Sequence, residues 1–347
     1  MDEKRYKDIG KRLLAWYDQN KRDLPWRKDT TPYGTWVCEI MAQQTRITAL
    51  LPYYERFLRD FPTVHALHEA TEDRVLKAWE GLGYYSRARS LKKAAAIIVE
   101  QYNGELPMEK EALLKLPGIG EYTAGAIMSI AFGLPQPAVD GNVLRVFARI
   151  ENNNVDVMLP EAKKPAEEFV RAVMPAERAG CFTQSLMELG ALVCIPKTPR
   201  CDECPLKGLC QSERDGRQGE LPVKSPKKEK KTLDKTVIVL QTPSGRIALR
   251  RRTESLLNGL WEYLLLDKAL TQAEVKAFLT EQGLTVESVT PMGKANHIFT
   301  HMIWQMEGWF CLVKEEKAPD GYELFTEEER SKLALPGALK FFQKKDF

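Results

Sequence analysis

Four cysteines, Cys194, Cys201, Cys204 and Cys210, stand in the spacing C-x6-C-x2-C-x5-C. So tight a group in a chain with no secretory start suits metal rather than disulfides. One close Cys-x-x-Cys pair fits four thiolates on a cubane iron–sulfur cluster; structural zinc, which usually shows two such pairs, is the alternative. A second candidate for chemistry is Asp140, within Val139-Asp140-Gly141-Asn142-Val143. It follows a proline-rich stretch and opens a helix with Val143, Val146, Phe147 and Ile150 on one face. Its side chain can cap that helix, or act as a carboxylate kept ionised by the positive end of the helix, and the two roles are compatible. A third is the turn Pro117-Gly118-Ile119-Gly120. Its glycines let the backbone bend tightly and come close to a ligand, and the helix that follows presents free N–H groups suited to a phosphate oxygen. The plain alternative is an ordinary helix–turn–helix corner.

These residues must be held by helices. The segments 109–116 and 122–132 flank the glycine turn; the second is small and apolar and reads as a buried helix. Residues 6–18 form an amphipathic helix with Ile9, Leu13, Leu14 and Tyr17 inward. A helix is expected over 35–51, with Val37, Ile40, Met41, Gln44 and Ile47 inward and Glu39, Gln43 and Arg46 on the adjacent face. Taken alone, Glu39 reads as a solvated carboxylate paired with a neighbour. Further helices are expected over 53–59, 64–69, 72–80 and 156–194. Gly81-Leu82-Gly83-Tyr84-Tyr85 reads as a glycine-rich turn into a helix. From 214 to 234 glycines, prolines and lysines mark a solvated linker. Beyond it the period changes to two. Strands are expected over 236–241, 246–252, 260–266, 286–291, 299–304 and 309–313, with Thr271-x-x-Glu274 and Thr326-x-x-Glu329 as capping boxes that open helices.

The chain has 347 residues and a formal net charge of +3, so any DNA-binding face must be a local arrangement. No apolar run reaches the length of a membrane span. The start Met1-Asp2-Glu3-Lys4-Arg5 is no secretory signal, which suggests a cytoplasmic protein. Cys38, Cys181 and Cys311 fit no metal pattern and read as small packed residues.

A helix–hairpin–helix followed by Gly/Pro-rich sequence and a Val-Asp resembles the base-excision glycosylases of the endonuclease III superfamily. Val139-Asp140-Gly141-Asn142-Val143 with Arg145 resembles, more narrowly, the MutY-type adenine DNA glycosylases. The similarity runs through nearly the whole chain: Arg22-Asp23-Leu24-Pro25-Trp26-Arg27, Glu39-Ile40-Met41-Ala42-Gln43-Gln44-Thr45-Arg46, the cysteine spacing and Gly259-Leu260-Trp261-Glu262-Tyr263 all follow the family pattern. At the Glu39 stretch two positions depart from it, Cys38 where serine is usual and Ala42 where leucine is usual. The resemblance implies a multidomain fold. An all-α helix–hairpin–helix domain, 1–213, would carry a [4Fe–4S] cluster on Cys194, Cys201, Cys204 and Cys210. The linker 214–234 would lead to an α+β MutT/Nudix-like domain, 235–347.

It also implies roles. Glu39 would protonate an extruded adenine and later activate water, and Asp140 would stabilise the cationic sugar. Tyr122 would hydrogen-bond Asp140 or shield the sugar, and Asn142 would place water. Arg22, Trp26 and Arg27 would wall the base pocket. Gln44, Leu82 and Tyr84 would enter the duplex, and Gly118 and Gly120 would meet a phosphate. Phe299, Thr300 and His301 would read 8-oxoguanine, with Thr300 where serine is usual. Tyr122 stands where bifunctional relatives have a lysine, and a phenol forms no Schiff base, which implies a monofunctional enzyme. The glutamate-rich pyrophosphatase motif is absent, so no Nudix hydrolysis is expected. The expected partner is duplex DNA with adenine opposite 8-oxoguanine, and the expected state is a nucleoid-associated monomer. The rival readings are an endonuclease III-like enzyme for damaged pyrimidines, a lesion binder without catalysis, and an iron–sulfur redox sensor.

Overall fold

The computed structural model describes residues 3–28, 30–226 and 229–343. Of the lysine run, Lys227 and Lys228 lie outside the described residues, as do Met1 and Asp2. The chain divides into two compact units. One comprises Met1–His68 with Lys93–Pro226, the other Glu69–Lys92 with Lys227–Phe347. The expected boundary at 213 therefore differs in two ways: the segment 69–92 groups with the C-terminal half, and 214–226 belongs to the N-terminal unit. Leu221 shows why the second happens. Its side chain is buried and its carbonyl accepts a bond from Arg149 Nε at 2.9 Å, while Val157 N donates to Val223 O. Leu221 thus pins a mostly exposed stretch to the first unit.

The first unit is helical. Helix α1 (Glu3–Asn20) is followed by the single turn α2 (Pro25–Lys28) and by α3 (Pro32–Ala42), capped by Thr31 and with proline in its first turn. The helix expected over 35–51 breaks after Ala42. Gln43 is extended and Gln44 is left-handed at φ 58°, so α4 (Ile47–Asp60) starts afresh and Gln43 and Arg46 leave the face that carries Glu39. After α5 (Val64–Glu69) the chain leaves this unit for α6 (Glu72–Ala78) and the start of α7 (Ser86–Tyr102), which belong to the second unit, and returns to it at Lys93. The hairpin pairs α8 (Lys110–Leu114) with α9 (Glu121–Ala126). Gly118 between them sits at φ 83°, a conformation that favours glycine, and a Cβ on Gly125 would come within 2.0 Å of Pro137 O. Helix α9 continues as a π-helical turn over Ile127–Ala131. Helices α10 (Gly141–Ile150), α11 (Lys163–Val173) and α12 (Ala179–Leu192) complete the bundle, and the short α13 (Gln211–Arg214) follows the cysteine loop. The apolar stripes of α1, α10, α11 and α12 share one core. Val143, Val146, Phe147 and Ile150 are all inside it, each contributing roughly 1.5–3 kcal/mol by burial.

The second unit is built on a mixed sheet. Its strands are β1 (Lys231–Gln241), β2 (Ile247–Arg251), β3 (Trp261–Glu262), β4 (Leu264–Leu266), β5 (Val286–Ile298), β6 (Met302–Val313) and β7 (Glu323–Phe325). The order is β3-β2-β1-β6-β5, with β4 on β1 and β7 on β2; β1 and β6 run parallel. The three strands expected over 286–313 are thus two long ones joined by a tight turn, in which Phe299 N donates to Met302 O. β1 alternates as a period of two requires. Val237 and Val239 face a cluster closed by Leu335, Leu339 and Phe342, whereas Ile238 and Leu240 face Val275 and Leu279 of α14 (Gln272–Glu281). Both capping boxes form, opening α14 and α15 (Glu327–Ser331), and α16 (Lys340–Gln343) follows. Part of the lysine run is strand: Lys235 is buried, paired with Asp267 and lying over the Trp304 ring.

Candidate active site

A cleft of about 810 Å³ in the first unit is lined by Glu39, Tyr122, Asp140 and Asn142 together with Arg22, Trp26 and Arg27. Sections of chain far apart in sequence meet there: the 22–27 stretch, α3, the start of α9, the start of α10 and the middle of α12. Glu39 projects from the buried face of α3 and is only 7% exposed. Burial raises its pKa to about 7; the hydrogen bond from Tyr122 opposes this, and the charge of Asp140 adds to it. Tyr122 Oη donates to Glu39 Oε2 at 2.7 Å. The hydroxyl proton of Tyr122 thus goes to Glu39, while the oxygens of Asp140 accept from Asn142 and Val143. Burial and the neighbouring carboxylates hold its phenol protonated, well above the ordinary range.

Asp140 caps α10. Oδ1 accepts from Asn142 N at 2.9 Å and Val143 N at 2.7 Å, and Oδ2 accepts from Asn142 Nδ2 at 2.9 Å. Three N–H donors fix this carboxylate at the helix N-terminus. Asn142 is itself oriented from behind, since its Oδ1 accepts from Arg145 Nη2 at 3.0 Å. It is a bracket between Asp140 and Arg145 as well as a side chain of the cleft.

Arg22 and Arg27 do line the cleft, but their guanidiniums are engaged with Glu188, a residue the motifs did not flag. Arg22 binds both carboxylate oxygens at 2.7 Å, and Arg27 Nη2 binds Oε2 at 2.8 Å. Burial alone would raise the pKa of Glu188, yet these bonds bring it down to about 2. A signal was present in the sequence: Gln184 and Glu188 sit four apart on one face of a largely apolar helical run, and Gln184 Oε1 accepts from Arg27 Nε. Trp26 packs edge-on against Tyr54 at 5.2 Å. Gln44, through its left-handed backbone, also reaches the cleft. Gly118 O accepts from Gln43 Nε2 at 3.5 Å, and Gly120 stands open at the start of α9.

Other expected contacts lie in the second unit. Tyr84, at φ 48°, is 45% exposed, whereas Leu82 is buried. Leu82 therefore differs from expectation: the left-handed Gly81 and Gly83 on either side turn its side chain into the protein. Tyr84 Oη and Thr300 Oγ1 share a hydrogen bond of 2.9 Å. Thr300 and His301 are exposed at the β5–β6 turn. Phe299 instead anchors that turn, with its ring 4.6 Å from His297 and 4.8 Å from Trp304.

The sulfurs of Cys194, Cys201, Cys204 and Cys210 belong to residues lining one hollow beside Arg149. Arg149 is 1% exposed and donates to Cys194 Sγ at 3.4 Å, Ile195 O and Pro196 O both at 2.8 Å, and Leu221 O. Among the described residues no three such side chains close on a single metal ion. Four thiols lining one hollow, with a guanidinium beside one of them, supply the four attachment points of an iron–sulfur cubane. Of the basic residues in this loop, Lys207 pairs with Asp202 at 2.6 Å and Arg200 lies 3.9 Å from Glu203. Cys38 and Cys311 are buried and Cys181 partly so.

Residues 37–173 match the HhH-GPD superfamily of base excision DNA repair proteins, 194–210 the iron-sulfur binding domain of endonuclease III, and 236–344 the NUDIX domain. The adenine DNA glycosylase of Rattus norvegicus is 32% identical, over 94% of this chain and 76% of its own. That of Buchnera aphidicola (strain Bp) is 32% identical over 84% and 82%. A thermostable thymine-DNA glycosylase superposes with a TM-score of 0.57 at 28% identity, over 61% of this chain and 98% of its own. A trapped endonuclease III–DNA covalent intermediate gives 0.53 at 22%, over 62% and 99%, a likeness of fold alone. The cofactor of such a chain is a [4Fe–4S] cluster. A helical HhH-GPD unit with a buried glutamate in its cleft, an iron–sulfur loop and a C-terminal Nudix domain identify the chain as a member of the adenine DNA glycosylases, enzymes of base excision repair.

Proposed function

We propose that this glycosylase releases adenine standing opposite 8-oxoguanine or guanine, by hydrolysis and without a lyase step. The observation that carries the chemistry is the Tyr122–Glu39 bond in the cleft, with Glu39 buried and raised to about 7. The base must leave the stack to reach it. Adenine is a poor leaving group until protonated. The Glu39 carboxylic acid gives its proton to N7, the C1′–N9 bond breaks, and its electron pair stays on the base. The sugar becomes an oxocarbenium-like cation facing Asp140, whose carboxylate is held by three N–H donors. Water then adds to C1′ and its proton passes to the Glu39 carboxylate. Glu188 holds the guanidiniums of Arg22 and Arg27 in place on the wall of the cleft.

Cys194, Cys201, Cys204 and Cys210 would hold the cluster, which serves as a clip for the loop. Gln44, Gly118, Gly120 and Tyr84 would meet the duplex, and Thr300 and His301 the base opposite. A Schiff base needs an amine, and position 122 is a phenol. The cleft has one lysine in its lining, Lys163, which is exposed at the first turn of α11.

Single-turnover release measured on duplexes with adenine opposite 8-oxoguanine, guanine or thymine tests the reading. Release chiefly opposite 8-oxoguanine is expected, with strand breaks only after alkali and no adduct trapped by borohydride. Release of an oxidised pyrimidine with direct breaks would replace it by the endonuclease III-like reading. An adduct that disappears in Lys163→Ala would remove only the lyase-free part.

A further inference from the structure

The Gly81–Tyr85 turn is held in an unusual shape, and one side chain does most of the holding. Gly81, Gly83 and Tyr84 are all left-handed, at φ 97°, 76° and 48°, and the last is disfavoured for a residue with a bulky side chain. Arg87, one residue into α7, lies beneath the turn and is 7% exposed. Its guanidinium donates to Gly83 O at 3.0 Å and to Leu82 O and Tyr84 O at 3.4 Å. Its plane lies 5.4 Å from the ring centres of both Trp79 and Tyr84. Trp79 Nε1 adds a bond to Gly83 O at 3.1 Å, and Tyr85 Oη receives one from Gly81 N at 3.1 Å. Nη2 reaches Leu82 O and Gly83 O while Nε reaches Tyr84 O, so the three bonds together span two nitrogens of one planar group, a geometry that arginine offers and lysine lacks.

We propose that Arg87 is the positioning residue that fixes the exposed Tyr84 ring in the pose in which it enters DNA. This rests on the reading of Tyr84 as a wedge. Arg87 itself is buried under the turn, so its contribution is geometric and not attraction of a phosphate. Burial has lowered its pKa to about 10, as a guanidinium removed from water requires. Without the fork, Tyr84 is free to leave its left-handed conformation, and DNA binding must then restore it.

The test is a double-mutant cycle on the full-length, iron-loaded protein. The readout is the dissociation constant for a duplex with 2′-fluoroadenosine, which resists base release, opposite 8-oxoguanine. Arg87→Met and Tyr84→Ala should each weaken binding about tenfold or more, as loss of charge-assisted bonds implies. Arg87→Lys should bind no better than Arg87→Met, and Arg87→Met should add less than about twofold in the Tyr84→Ala background. Should Arg87→Met not fold, Arg87→Lys carries the same cycle. Wild-type affinity in Arg87→Lys would assign the effect to charge and overturn the proposal. So would full additivity with Tyr84→Ala, or an unchanged Arg87→Met beside a weakened Tyr84→Ala. Unchanged affinity in Tyr84→Ala would instead remove the wedge reading, and the proposal with it.

Discussion

Glu39 couples catalysis to pH and to stability through the same proton. Its carboxyl titrates near 7 in the fold against 4.5 in the unfolded chain, so the folded state holds the proton more tightly. The resulting stability is complete below about pH 4.5 and is lost as pH rises through 7; 2.5 units correspond to roughly 3 kcal/mol. Glu39→Gln removes the titration and the acid together. Excision should fall by about 10²–10⁴-fold, the usual share of a general acid. The variant should also exceed the wild type in stability at pH 8 by up to roughly 3 kcal/mol, a gap that closes towards pH 5. Chemical denaturation at the two pH values measures it, and a gap that does not change with pH would mean Glu39 is not buried as a neutral acid. In the wild type, the single-turnover rate should decline above pH 7 as the proton leaves.

At the scale of elements, the cysteine loop depends on one buried guanidinium and on the cluster. Arg149 ties Cys194, Ile195 and Pro196 to Leu221, so the loop and the segment after it form one attachment to α10. Removing the iron should leave the α1, α10, α11 and α12 core folded while protease begins to cut between Cys194 and Leu221; visible absorbance and limited proteolysis follow the two events. Resistance equal to that of the holoprotein would show that Arg149 suffices. This segment also marks where sequence reading stopped. Period and capping rules located α1, α10, α14 and both capping boxes, because those signals are local. The break after Ala42 carries no glycine or proline, so no local signal marks the left-handed Gln44 that ends the helix. The attachment of 214–226 depends on Leu221 meeting Arg149, 72 residues apart in sequence. The Glu39–Tyr122 bond joins residues 83 apart, and only the resemblance could place both in one site.

At the scale of the molecule, the residues proposed for chemistry and those proposed for reading the opposite base fall in different units. Glu39, Tyr122 and Asp140 belong to the helical unit, and Thr300 and His301 to the unit built on the sheet. Substitutions should therefore separate two quantities that a single site would change together. Thr300→Val keeps the shape of the side chain and removes the hydroxyl that meets Tyr84 Oη at 2.9 Å. The preference for adenine opposite 8-oxoguanine over guanine should fall about tenfold, the value of one hydrogen bond to the lesion. The single-turnover rate at saturating enzyme should stay within about twofold, because the acid and the carboxylate are untouched. Glu39→Gln should do the reverse, abolishing the rate while leaving the binding preference for the lesion in place. A Thr300→Val enzyme whose saturated rate drops equally with both partners would show that the hydroxyl acts on the chemical step and that the division between units does not hold.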